Sequence, residues 1–122
     1  MDLENRRKIL IVDDQSFNID AIMIILQHAV KINNCQFICD RANNGKRALD
    51  MIVEDAGANE YQYTSYVLIL MDCNMPFMDG YESTHKIRQF LYDNDILQPI
   101  ITAVTGHSEE TYVLKALQSG MN

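Results

Sequence analysis

Basic charge is scarce in this chain. Ten lysines and arginines stand against seventeen aspartates and glutamates, a formal net charge of -7. That balance argues against binding to nucleic acid or to an anionic membrane surface, both of which need a basic face. No apolar run approaches the length of a membrane span, and the polar start Met1-Asp2-Leu3-Glu4-Asn5-Arg6-Arg7-Lys8 reads as no signal peptide. The three cysteines, Cys35, Cys39 and Cys73, are odd in number and form no CxxC pair, so buried thiols in a reducing cytosol are expected. His28, His85 and His107 are scattered, with neither a catalytic-triad pattern nor a metal-ligating i, i+4 spacing; His107 alone borders the region of interest. There is no internal repeat and no low-complexity segment.

What is present is a single domain's worth of chain, 122 residues of which 48% are hydrophobic. Its organising stretch runs from Tyr66 to Gly80. The apolar run Val67-Leu68-Ile69-Leu70-Met71 reads as a strand buried on both faces, and it ends abruptly in Asp72. Lys8-Ile9-Leu10-Ile11-Val12 repeats the pattern and ends in Asp13-Asp14. Gln36–Asp40 reads as a further short strand and Ile100–Val104 as a fourth, which delivers Thr105 and Gly106.

Helices fill the intervals. Ser16 is a plausible N-cap for a first helix, with Ile22, Ile25, Leu26 and Ala29 on its inner face and its end near Lys31, before Asn33-Asn34. A second is expected over Lys46–Glu54, with Ala48, Leu49 and Ile52 inward, followed by a long surface connection from Asp55 to Ser65. A third covers Tyr81–Leu91, with Thr84, Ile87 and Leu91 inward and Lys86 and Arg88 towards water, and stops at Asp93-Asn94-Asp95. Ser108 caps a last one, with Glu109 and Glu110 in its first turn and Val113, Ala116, Leu117 and Gly120 on one face. Alternating strands and helices imply a parallel sheet with helices on both faces.

In such a sheet the ends of neighbouring strands come together, and three carboxylates at one spot repel unless something positive sits among them. Oxygen donors without histidine or cysteine suit Mg²⁺. A metal beside a carboxylate makes a phosphoryl-transfer site, with Asp72 as nucleophile and the Thr105 hydroxyl bonding a phosphoryl oxygen.

Ile9-Leu10-Ile11-Val12-Asp13-Asp14, Met71-Asp72-Cys73-Asn74-Met75-Pro76-Phe77-Met78-Asp79-Gly80 and Thr102-Ala103-Val104-Thr105-Gly106 together resemble the receiver domain of two-component response regulators. The resemblance implies a flavodoxin-like α/β fold with strand order 2-1-3-4. It implies that Asp72 accepts phosphate from phosphohistidine on a histidine kinase or phosphotransfer protein. Asp13 and Asp14 then correspond to the acidic pair that holds Mg²⁺, with the backbone carbonyl of Asn74 as a further ligand. Thr105 corresponds to the switch hydroxyl, and Pro76 and Gly80 to the loop that shapes the site. Met75 to Glu82 is most similar to receivers of hybrid histidine kinases, which implies a cytoplasmic setting.

Two departures stand out. Gly106 occupies a position where the family usually has a small residue, most often alanine. The family's fifth strand and fifth helix, with a lysine that pairs with the phosphoryl group, have no counterpart before Asn122. None of Lys8, Lys31, Lys46, Lys86 or Lys115 matches that lysine, so residues 1–122 read as a receiver incomplete at its C-terminus. An open edge on the fourth strand and an uncovered apolar face on the last helix are then expected, and with them self-association. A rival phosphohydrolase reading wants an aspartate where Asn74 stands. A pseudo-receiver that only binds partners is a second rival. A phosphotransfer bundle is excluded by the four strands.

Overall fold

The computed structural model describes residues 6–32, 34–104 and 110–122. In chain order they form β1 (Lys8–Val12), α1 (Ser16–His28), α2 (Cys35–Ile38), β2 (Cys39–Ala42), α3 (Gly45–Ala58), β3 (Tyr66–Met71), α4 (Gly80–Asp93), β4 (Ile100–Ala103) and α5 (Glu110–Ser119). The four strands are parallel and lie in the order β2-β1-β3-β4, the flavodoxin-like arrangement. β1 pairs Val12 with Ala42 on one side and with Met71 on the other, while Met71 pairs with Ala103. The carboxyl ends of all four strands therefore finish on one line.

Alternation along β1 divides the interior into two cores. Leu10 and Val12 point to one face, where they meet Ile69, Met71 and Ile101, then Ala48 and Ile52 of α3 and Ile87 and Leu91 of α4. Ile9 and Ile11 point to the other, against Ile19 and Leu26 of α1 and the thiols Cys35 and Cys39. The second face is the more thinly covered: Leu68 and Leu70 of β3 are only partly buried there.

Several expectations shift. Residues 36–38 are helical, and the strand begins only at Cys39, with the Phe37 side chain 74% exposed. α1 ends at His28, and its inner face is Ile19 and Leu26, flanked by Ile22 and Met23; Ile25 is 55% exposed. Gln15, rather than Ser16, holds the N-cap position, and its side chain makes no capping bond. Asp13 organises that helix start instead: its Oδ1 accepts from the Gln15 backbone N–H (2.9 Å) and from Asn18 Nδ2 (3.4 Å). α3 runs one turn further than expected, to Ala58, which shortens the connection before β3. Asp55 ties down what remains, accepting from Thr64 Oγ1 (2.8 Å) and the Ser65 N–H (2.7 Å). β3 is not buried throughout, since Val67 is partly exposed.

Arg88 does not face water. It lies half-buried at the base of the sheet, donating to the carbonyls of Gly120 (2.8 Å) and Pro99 (2.7 Å), to Gln98 Oε1 (3.0 Å) and to Asn122 Oδ1 (2.8 Å). Asn122 in turn takes both outward groups of Ile101: Asn122 Oδ1 accepts from the Ile101 N–H (2.8 Å), and the Asn122 N–H donates to the Ile101 carbonyl (2.8 Å). The outer edge of β4 is thus partly paired, although Ile100 stays exposed. On α5, Val113 and Leu117 of the expected inner face are half exposed, and Ala116 is the residue that packs. Ser108 and Glu109 lie outside the described residues, as do Asn33 and His107.

Candidate functional site

The last hydrogen bonds of the central strands set the site. The Asp72 N–H donates to the Val12 carbonyl (2.9 Å) and the Asp13 N–H to the Ala42 carbonyl (3.1 Å), so both residues leave the sheet just as pairing ends. Open parallel sheets present their ligand crevice at this carboxyl edge. Carboxylate oxygens of Asp13, Asp14 and Asp72 lie within 4.8 Å of one another. Asp13 is buried, while Asp14 and Asp72 are partly open. Burial pushes the Asp72 carboxyl above its ordinary range, and the charges of Asp13 and Asp14 push the same way, against the opposing hydrogen bond from the Asn74 N–H to Asp72 Oδ1 (3.2 Å). Such a cluster wants a cation, and its all-oxygen donor set can hold a hard divalent one.

The loop beyond Asp72 is fixed by close backbone approach. The Gly80 N–H donates to the Cys73 carbonyl (3.1 Å). A Cβ on residue 80 would stand 2.2 Å from the Asp72 carbonyl oxygen and 2.9 Å from the Cys73 Cα, so glycine is required. Asp79 caps α4, accepting from the Glu82 N–H (2.9 Å). Pro76 and Asn74 are exposed on this loop, and Phe77 between Pro76 and Met78 is fully exposed with a left-handed φ of 68°. β4 reaches the same edge, the Val104 N–H donating to the Met71 carbonyl (2.9 Å). Thr105 and Gly106, expected next, lie outside the described residues.

Two features escaped sequence reading. Gly45, at the start of α3, abuts the loop: a Cβ there would stand 2.5 Å from the Met78 carbonyl oxygen, and Ser83 Oγ donates to the Gly45 carbonyl (2.8 Å). The Asn44-Gly45 pair signals a turn, but no local pattern says which neighbour presses on it. The second is Tyr81, buried in the first turn of α4, whose ring carries the Lys115 ammonium, 4.5 Å from its centroid.

Residues 9–122 match the family model of the response regulator receiver domain. Probable histidine kinase 2 of Oryza sativa subsp. indica is 40% identical over 108 residues, which cover 84% of this chain and 10% of that protein. The chain therefore spans about a tenth of the length of the curated relative. Among solved structures, the receiver domain of the Arabidopsis thaliana histidine kinase CKI1, complexed with Mg²⁺ and BeF₃⁻, superposes with a TM-score of 0.80 at 28% identity, covering 94% of this chain and 76% of that one. The receiver domain of Saccharomyces cerevisiae Ssk1, in co-crystals with the histidine phosphotransfer protein Ypd1, gives a TM-score of 0.76 at 27% identity, with 96% and 75% covered. A matching fold, a family model over nearly the whole chain and an acidic crevice at the expected strand ends agree: this chain belongs to the response regulator receiver domain family.

Proposed function

We propose that Asp72 accepts a phosphoryl group from a phosphohistidine, on a histidine kinase or a histidine phosphotransfer protein, in a Mg²⁺-dependent reaction that changes a binding surface. The observation that carries this reading is the gathering of Asp13, Asp14 and Asp72 within 4.8 Å at the carboxyl edge of a receiver-family sheet. Asp13 is buried and engaged in starting α1, whereas Asp72 is partly exposed. An Asp72 carboxylate oxygen attacks phosphorus in line. The P–O bond forms as the P–N bond breaks, its electron pair returning to the imidazole nitrogen, which is reprotonated. Asp13, Asp14, Asp72 and the Asn74 carbonyl would hold Mg²⁺, whose charge offsets that of the phosphoryl oxygens. Thr105 and Gly106 would engage the phosphoryl group, while Pro76 and Gly80 keep the loop clear of it. The structures of CKI1 with Mg²⁺ and of Ssk1 with Ypd1 support the choice of ion and of donor class.

By the same analogy, the domain would serve a hybrid kinase on the cytoplasmic side. No helix among the described residues is long and apolar enough to cross a membrane. Self-association through the β4 edge would have to displace Asn122 from Ile101.

Incubation with acetyl phosphate and Mg²⁺, followed by intact-protein mass, tests the reading. A single Mg²⁺-dependent phosphoryl adduct, absent from Asp72→Asn, is the expected result. An adduct that persists in Asp72→Asn, or none in the parent, overturns it.

A further inference from the structure

The loop that leaves Asp72 is pinned along its length. The Gly80 N–H closes it on the Cys73 carbonyl, Asp79 ends it as the cap of α4, and the Met78 carbonyl lies so close to Gly45 that no Cβ fits between them. From this frame Phe77 projects fully exposed. An apolar side chain exposed singly is ordinary. The backbone makes this one unusual. The loop sets φ at residue 77 to 68°, a left-handed value that glycine or asparagine adopts readily and an aromatic residue does not. A ring in solvent contributes no packing to offset that strain, and strain of this kind collects at binding and catalytic sites. Beside the ring lies a cavity of about 220 Å³, lined with Phe77 by Asn44, Lys46, Pro76 and Met78. Small-molecule sites run from about 300 to 1,000 Å³, so this one has room for a side chain of another protein rather than for a free ligand.

The place of the loop says which protein. Phe77 is three residues from Gly80, so its Cα stands at most about 11 Å from that of Gly80, which abuts the Asp72 carbonyl. A protein that brings a histidine to Asp72 covers about 800 Å² of this surface, a disc roughly 16 Å in radius, and Phe77 falls inside it. We propose that Phe77 is a specificity-determining residue for phosphoryl transfer: its ring and the cavity beside it grip an apolar side chain of the protein that carries the phosphohistidine. The inference rests on the acceptor role of Asp72. Aromatic side chains are enriched at such interfaces, and a few residues carry most of the binding energy. A ring held out by a pinned loop is already placed for contact, so little freedom is lost when a partner closes on it. A small donor such as acetyl phosphate needs no such contact.

Two donors separate the roles, each with Mg²⁺: phosphorylated Ypd1, the phosphotransfer protein found with the Ssk1 receiver, and acetyl phosphate. Phe77→Asn removes the ring and suits the left-handed backbone, whereas Phe77→Tyr keeps the ring. Phe77→Asn should raise the Ypd1 concentration for half-maximal transfer at least about tenfold and leave uptake from acetyl phosphate unchanged. It should also melt about 3 °C higher than the parent as the strain is released. Phe77→Tyr should accept from both donors as the parent does. Parent-like transfer from Ypd1 to Phe77→Asn, a matching loss with acetyl phosphate, a loss in Phe77→Tyr, or a lower melting temperature for Phe77→Asn overturns the inference. So does a parent dimer that Phe77→Asn dissolves, which would assign the ring to a second copy of this chain. A parent that takes the adduct from acetyl phosphate and none from Ypd1 overturns the inference and leaves the acceptor reading intact. A parent with no adduct from either donor overturns both.

Discussion

The two ends of the sheet handle buried charge in opposite ways. At the base, Arg88 is surrounded by neutral acceptors, two backbone carbonyls and two side-chain amide oxygens, with no carboxylate partner among the described residues. Its charge is solvated by the protein, so it stabilises without adding reactivity. At the carboxyl edge, Asp13, Asp14 and Asp72 face one another with no cation from the chain in an ion pair with them, among the described residues. Fold stability explains the first arrangement but not the crowding of three carboxylates in the second. Charge left unsettled by its own chain marks the place where something else is meant to bind.

Three substitutions sharpen that contrast. Gly80→Ala should have the largest effect, because the new Cβ meets backbone atoms rather than a side chain able to turn away. A loss of about 3 kcal/mol is expected, read from the urea midpoint, and phosphorylation should fall with it because the strained atoms belong to Asp72. Arg88→Met keeps the stem but removes the Arg88 donors from four acceptors, of which Asn122 Oδ1 keeps the Ile101 N–H. It should cost about 2 kcal/mol in the same assay, with the rate of phosphoryl uptake by acetyl phosphate unchanged. A comparable fall in that rate would show that base and edge are not independent.

Asp72→Asn should have the smallest effect and the opposite sign. Since burial and its acidic neighbours raise the Asp72 carboxyl, the native state holds more protons than the unfolded chain between the ordinary carboxylate value and the raised one. In metal-free solution, stability therefore falls as pH rises through that window and stays lower at neutral pH. The variant should melt slightly higher than the parent at pH 7 without metal, and gain less from added Mg²⁺. A lower melting temperature for metal-free Asp72→Asn would contradict this account of the cluster.

The edge was more legible in the sequence than the base. β1 and β3 are short apolar runs that stop at aspartate, and their parallel pairing brings Asp13, Asp14 and Asp72 together without further information. α1 was harder, because Ser16–His28 is apolar on nearly every side. Its inner stripe of Ile19 and Leu26 is chosen by what β1 and β2 present to it. Residues 36–38 have strand-like composition, yet they form a single helical turn packed beside α1. Arg88 looked like a surface residue because no local pattern records that carbonyls from residues 99 and 120 would converge on it. Gly80 was legible as a turn. The reason it must be glycine, a backbone crossing from the same site, belongs to the tertiary structure alone.

The placement of the cysteines has a practical consequence. All three thiols are buried, and they are divided between the two faces of the sheet: Cys73 lies in the core under α3 and α4, Cys35 and Cys39 in the core under α1. Burial raises the Cys73 thiol, and burial together with Cys35 brings Cys39 to about 11, so neither reacts readily while enclosed. The domain therefore carries a built-in alkylation clock on each side. The order in which the clocks run down tells which half of the molecule opens first.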